Sequence, residues 1–142
     1  MALGSRLSAI DIALRDKIDA GTDATVTVTR GHPGEHLSYE SVWIADITFD
    51  ERSQHLGNDK RRQDLNAVIV CRVRQDGDDY PALRTRVCEI ADDVEEALRA
   101  DDELAQAVNF GGISAGAMDS FSDTDGRVAA VELTYSGVAV KG

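Results

Sequence analysis

Two histidines and a glutamate in one short segment are the first residues of this sequence that could bind a metal ion. His32, Glu35 and His36 lie within the run HPGEH. The zinc-protease motif needs two histidines one helical turn apart on a helix, with a glutamate directly after the first. Here a proline and a glycine stand between the histidines and disfavour that helix. We therefore predict a solvated loop and no metal site, with the third histidine, His55, far along the chain.

An acidic segment near the C-terminus resembles part of a calcium site. DTDGRVAAVE, residues 123–132, matches the later part of an EF-hand loop. Its first ligand position falls on Phe121, which has no side-chain oxygen, and the residues after Gly126 alternate as in a strand. We interpret the segment as the turn of a β-hairpin, with Gly126 at a position that tolerates positive φ.

Phosphate binding and nucleophilic catalysis have equally weak support. Gly111, Gly112 and Gly116 in GGISAG lack the GK[ST] ending of a phosphate loop. Cys71 falls on the apolar side of a predicted strand and Cys88 within a predicted helix, and neither has a histidine nearby in sequence. We predict no catalytic residues and no cofactor, so an enzyme is the less favoured class.

Clustered charges are the remaining polar feature. Acidic residues are densest in the segment 89–103, and basic residues are densest in the trio 60–62. Neighbouring aspartates make the basic trio nearly neutral overall, which favours a protein contact over a DNA contact. Crowded acids on a helix exterior are usually solvated, and they do not by themselves indicate acid–base catalysis.

Composition limits the class of protein further. The chain has 142 residues and 15.3 kDa, with 42% hydrophobic residues, so we expect one domain spanning 1–142 with an ordinary core. Its formal net charge of −11 disfavours a general nucleic-acid binder. We expect no signal peptide and no membrane span, because no apolar run approaches about 20 residues, and we therefore expect a cytoplasmic chain with reduced thiols.

Apolar periodicity predicts two main helices. The first carries Leu7, Ile10, Leu14 and Ile18 at helical spacing, with Ser5 as a cap and Gly21 as its end. The second runs from about Pro81 to Ala100. Its core stripe is Leu83, Val87, Ile90, Val94 and Leu98. We also expect a short helical turn around residues 102–108.

Strand patterns occupy most of the remaining sequence. We predict strands at Ala24–Arg30, Tyr39–Phe49 and Ala67–Arg74, a long polar loop at 50–65, and a C-terminal hairpin around DTDG. In the third strand Ala67, Ile69, Cys71 and Val73 share one face. The predicted fold class is therefore α+β, a mainly antiparallel sheet of about four to five strands with the two main helices packed on one face.

This order of elements resembles the tail terminator proteins of long-tailed bacteriophages. The resemblance covers nearly the whole chain, and it rests on the strand LNAVIVCRVRQDG, the helix YPALRTRVCEIADDVEEALRAD and the closing hairpin. The family pattern xxVxVxxRxxxG…ARxRAxxLxxxVExxL corresponds here to AVIVCRVRQDGDDYPALRTRVCEIADDVEEAL. This chain departs from it by carrying Leu83-Arg84-Thr85-Arg86 in place of the Ala-Arg pair.

The resemblance implies a structural protein of the virion tail, at its head-proximal end. Such a protein forms a ring, usually a hexamer, on the end of the tail tube, stops tube polymerisation and joins the head connector or head-closure protein. Genomic DNA would only pass through the channel, past an acidic or neutral lining, and no membrane or cofactor is involved. We expect the 50–65 loop to lie at a subunit or tube interface. The residues assigned to this contact are Arg52, Lys60, Arg61 and Arg62, facing Asp92, Asp93 and Glu96 of a neighbour.

Other classes stay open at this point. A head-closure protein or a tail tube subunit would share the small size, the β-rich core and the ring assembly. A small cytoplasmic enzyme or a solitary binding domain is the alternative from outside the virion. Ring stacking, tube capping or persistent monomers would distinguish these classes.

Overall fold

The computed structural model describes residues 3–32, 39–53, 61–75, 80–99, 110–123 and 126–141. Two helices and five strands follow one another along the chain. In order they are α1 (Leu3–Gly21), β1 (Thr27–Arg30), β2 (Glu40–Ser53), β3 (Arg61–Gln75), α2 (Tyr80–Arg99), β4 (Phe110–Asp123) and β5 (Gly126–Lys141). The predicted α+β class is confirmed.

The five strands form one sheet in the order β1-β2-β3-β5-β4. β1 pairs with β2 in parallel, and the other three pairings are antiparallel. Relative to β2, β3 therefore runs in the opposite direction, β5 in the same direction and β4 in the opposite direction. The two edges of the sheet thus run antiparallel to each other.

Both helices cover the same face of this sheet. The predicted alternation in β3 is confirmed, because Ala67, Ile69, Cys71 and Val73 are all buried. The core stripe predicted for α2 is buried as well, at Leu83, Val87, Ile90, Val94 and Leu98. α1 adds Ile10, Leu14 and Ile18 to the same cluster. The other face of the sheet carries no helix among the described residues and is called the open face below.

Gly21 ends α1, as the sequence predicts, but the reason is a close approach between helices. A Cβ atom built on Gly21 would overlap the Cβ of Ala97 in α2. Only glycine leaves room for this contact, which fixes the C-terminal end of α1 against α2. The predicted cap at Ser5 is wrong, because α1 already begins at Leu3.

The polar loop predicted over residues 50–65 is wrong in its described parts. β2 continues to Ser53 and β3 begins at Arg61, with Arg52 and Arg62 as direct register partners. Backbone ladders do not require apolar side chains, and β5 pairs with residues 61–65 from the other side. A polar segment therefore becomes an inner strand, in which Gln63 and Leu65 are buried. Residues 54–60 lie outside the described part.

The first predicted strand and the predicted C-terminal hairpin agree with the structure to different degrees. β1 covers only Thr27–Arg30, because the amide of Val26 donates to the carbonyl of Asp23 and closes a turn before the strand. The C-terminal hairpin is confirmed, with Asp123 and Gly126 as its innermost register pair. Gly126 has a φ of 134°, in the region that favours glycine. The helical turn predicted at 102–108 lies outside the described residues.

Candidate interaction surfaces

Arg86 on α2 connects three parts of the chain. Its guanidinium donates two hydrogen bonds to the carboxylate of Glu40, at 2.6 and 2.9 Å. It also donates to Asp23 at 3.1 Å and to Glu89 at 3.2 Å. The Thr25 hydroxyl donates to the same Glu40 carboxylate. This Arg86 cluster joins the α1–β1 connection, the start of β2 and the first half of α2.

The electrostatics of the Arg86 cluster favour the charged form of both main partners. The hydrogen bonds from Arg86 hold the pKa of Glu40 below its ordinary value of 4.5, more than offsetting partial burial, which acts in the opposite direction. The hydrogen bonds to Glu40 in turn raise the pKa of Arg86. The cluster is an interlocked ion pair that links three parts of the chain, and we interpret it as a structural contact.

The open face of the sheet is acidic. By strand register, five acids with described side chains lie on this face against two arginines, Arg72 and Arg74. The acids are Asp46, Asp50, Asp64, Asp119 and Glu132. Trp43 also lies on this face, 7% exposed, with the His32 ring edge-on at 5.0 Å between centroids. A shallow groove of about 330 Å³ runs beside Trp43 toward β4.

Both outer edges of the sheet are exposed to solvent. In β4 the six consecutive residues from Ser114 to Asp119 are all exposed, on both faces of the strand. At the opposite edge β1 pairs only with residues 41–44 of β2, and the next residues, Ala45 to Asp50, are exposed or half-buried. Among the described residues, neither of these two segments has a partner strand on its outer side.

The structure separates the residues predicted to form a charged interface into two groups. Arg61 and Arg62 begin β3, and Arg52 lies opposite Arg62 near the end of β2. The acids lie on α2, which follows the other end of β3; Asp92 and Glu96 are exposed and Asp93 is half-buried. The basic end and the acidic helix face are thus different surfaces of the fold. Lys60 lies outside the described residues.

The remaining candidate chemical groups are positioned as follows. Burial raises the pKa of the Cys71 thiol to about 12, while Cys88 is exposed on α2, with its sulfur 3.7 Å from that of Met118. Gly111, Gly112 and Gly116 lie within β4. Within the described ranges, no three His, Cys, Asp or Glu residues are grouped so that they could hold a metal. His36, Glu35 and His55 fall outside those ranges.

Sequence reasoning missed the Arg86 cluster and the two free edges. Arg86 was visible only as part of the LRTR departure from the family pattern, and nothing in the sequence links it to Glu40, 46 residues away. The edges depend on strand order, which periodicity does not report. None of the described helices combines the length and apolar character needed to cross a membrane.

Comparison with known proteins shows a likeness in fold. No protein-family model and no curated sequence matches this chain. A chain in the solved structure "Virion of native gene transfer agent (GTA) particle" is similar to it in fold, with a TM-score of 0.63 and 12% sequence identity. The likeness covers 92% of this chain and 94% of that one. At this identity it shows a shared fold over nearly the whole length of both chains.

Proposed function

We propose that this protein is a structural component of a phage-like virion, and specifically a tail terminator. The observation that carries the proposal is the shared fold, over 92% of the chain, with a protein of the gene transfer agent virion. The element order α1-β1-β2-β3-α2-β4-β5 is the order on which the sequence resemblance to tail terminators rests. The protein would form a ring, usually of six copies, on the head-proximal end of the tail tube after assembly in the host cytoplasm.

The surfaces of the described residues suit a protein whose partners are other proteins. Its partners would be further copies of itself, the tail tube protein and the head connector or head-closure protein. A head-to-tail ring requires one surface to complement a different one, and the described residues offer an acidic sheet face and two different strand edges. A shared fold alone does not define a function, which is why the role has to be tested by assembly.

The acidic open face gives the proposed channel a physical rationale. Six subunits of −11 would carry −66 formal charges. With the open face turned inward, the five acids and two arginines among its described side chains would on balance repel DNA phosphates, so the genome would slide without being gripped. Tight, salt-sensitive DNA binding by assembled rings would contradict this part of the proposal.

Assembly on tail tubes is the direct test. We would measure the mass of the purified protein by light scattering across protein and salt concentrations, and image it by negative stain with and without tail tubes. Closed rings near six times 15.3 kDa, or caps only at tube ends, would support a terminator. Open stacks would indicate a tube subunit, and rings that bind heads but not tubes a head-closure protein. Monomers that do not bind tail tubes would favour the enzyme and binding-domain classes.

The predicted charged contact can be tested separately. We propose that Arg52, Lys60, Arg61 and Arg62 meet acids on α2 of a neighbouring subunit or acids on the tube. The Lys60→Ala/Arg61→Ala/Arg62→Ala variant should cap tubes poorly, whereas a control that removes three other charges, Arg15→Ala/Lys17→Ala/Arg99→Ala, should cap them normally. Rescue of an Arg61→Glu/Arg62→Glu variant by Asp92→Lys/Asp93→Lys in the same chain would identify the acidic partner. Normal capping by the triple alanine variant would eliminate this contact.

A further inference from the structure

We propose that neighbouring copies of this chain join their sheets edge to edge, with β4 of one copy pairing with the uncovered part of β2 of the next. The segments concerned are Ala115–Asp119 and Asp46–Asp50. This inference rests on the proposed function for the ring, and it names the surface that would hold the ring together. The occupant of each edge is thus a second copy of the same chain.

Strand direction supports this pairing. β4 runs antiparallel to β2 within one copy, because three antiparallel steps separate them. Rotation about an axis along the strands preserves their direction, so β4 of one copy meets β2 of the next as an antiparallel pair. Antiparallel pairing is the slightly more stable arrangement, and it needs no rearrangement of either copy.

The exposed edges carry only some of the features that normally prevent pairing. Natural edge strands are protected by charged side chains, especially lysine, by prolines, by β-bulges or by very short length. β4 is 14 residues long, and its exposed segment SAGAMD contains no lysine, arginine or proline. Each proposed segment begins just after a register shift, between Ile44 and Asp46 in β2 and between Ile113 and Ala115 in β4. These irregularities lie beside the segments and leave them regular.

A closed ring accounts for both edges at once. Two-fold pairing of β4 with β4 would leave the β2 segment of both copies unpaired, whereas head-to-tail closure pairs both proposed segments of every copy. Because β4 would pair with β2 beyond the end of β1, four strands per copy line the ring, namely β2, β3, β5 and β4. At about 4.8 Å per strand, six copies would give a circumference of about 115 Å and a backbone diameter of about 37 Å, widened by strand tilt. Such a ring leaves room for a DNA duplex within its open-face lining.

Like charges limit the register. Asp46, Thr48 and Asp50 in β2 lie on the open face, as do Ala115, Ala117 and Asp119 in β4. Opposing Thr48 and Ala117 would place Asp119 against Asp46, which is unfavourable for directly opposite residues. A shift of two residues in either direction removes this repulsion. Thr48 is then opposite Ala115 in one register, and Asp50 is opposite Ala117 in the other.

Disulfide trapping tests the pairing directly. In a Cys88→Ser background we would make two variants, Thr48→Cys/Ala115→Cys and Asp50→Cys/Ala117→Cys, and oxidise each with and without tail tubes. We expect one of them to give a ladder of covalent oligomers that ends at the ring. Each single cysteine should give no ladder, and the pair Thr48→Cys/Met118→Cys should give none because its positions are on opposite faces.

Added charge tests the same pairing without covalent cross-linking. Ala115→Asp/Ala117→Asp should raise the protein concentration needed for rings at least about tenfold, because position 117 is opposite Asp46 in one register and Asp50 in the other, and like charges directly opposite destabilise a strand pair. Ala9→Asp/Ile12→Asp adds the same charge to the outward side of α1, where Ile12 is 42% exposed, and should leave ring formation unchanged.

The outcomes separate this pairing from the terminator role. Rings that cap tubes but form no ladder and tolerate the β4 aspartates would overturn the edge pairing and leave the proposed function standing. A ladder in chains that never cap tubes would support the pairing and refute the terminator role. Dimers from Ala117→Cys alone would indicate two-fold β4 pairing, and the absence of any ladder with or without tubes would also overturn the proposal.

Discussion

Replacing Arg86 by methionine should lower the free energy of unfolding by about 2–3 kcal/mol. A hydrogen bond to a charged group stabilises by about 1.5–3 kcal/mol, and Arg86 donates two to Glu40. We assign about 2–3 kcal/mol to the two hydrogen bonds together and not to each. The Arg86 and Glu40 side chains are 27% and 19% exposed, so water screens part of the interaction. The bonds to Asp23 and Glu89 add little, since those side chains are 61% and 59% exposed.

The assay is urea unfolding of Arg86→Met, Glu40→Gln and the double variant at low protein concentration, where assembly contributes least. The two changes should couple by about 1–2 kcal/mol, because each removes the same ion pair. Arg99→Met is the matched control: its partner Glu95 is one helical turn away and the Arg99 side chain is 73% exposed, so its loss should cost less than about 0.5 kcal/mol.

The pH dependence of this stabilisation has a defined sign. The pKa of Glu40 is lower in the folded chain than its ordinary value of 4.5, so the unfolded chain binds the proton more readily. The contribution is therefore fully present above about pH 4.5 and is lost as the pH falls through the lowered pKa. Arg86→Met should remove this acid-sensitive part of the stability. An effect no larger than that of Arg99→Met, or an unchanged acid profile, would refute the reasoning.

Three further results are expected. Gly21→Ala should destabilise the chain by about 1–3 kcal/mol through overlap with Ala97, and Ala97→Gly should restore part of the loss; additive effects in urea unfolding would contradict this contact. A thiol reagent at neutral pH should modify Cys88 and spare buried Cys71 until the chain unfolds, so mass spectrometry should find one label in native protein and two in urea. Gly126→Ala should cost about 1–2 kcal/mol in thermal or urea unfolding because its φ of 134° is strained for alanine, and a neutral result would argue against that turn geometry.

Periodicity made the helices and the central strand predictable. In α2 the apolar positions from Leu83 to Leu98 recur at helical spacing, and that stripe is buried as expected. In β3 the alternation from Ala67 to Val73 matches the buried face. These segments are decided by local pattern, because one side of each must cover the core.

The parts that sequence did not predict depend on distant partners. Residues 61–65 look like loop by polarity, yet they form a strand because residues 137–141 of β5 pair with them. Tertiary pairing overrides local pattern there, and the contact of Arg86 with Glu40 likewise depends on a residue far along the chain.

The way the sheet is assembled from two hairpins has a consequence for folding kinetics. β2–β3 and β4–β5 each pair locally, but the β3–β5 ladder that joins them links residues 52 apart in sequence, Gln75 with Arg127, to 80 apart, Arg61 with Lys141. Closing such large loops costs conformational entropy before the hydrogen bonds of the β3–β5 ladder can offset it. Docking of the two hairpins should therefore limit the folding rate. Until that step both inner strands expose pairing edges, and newly made chains are then most vulnerable to aggregation.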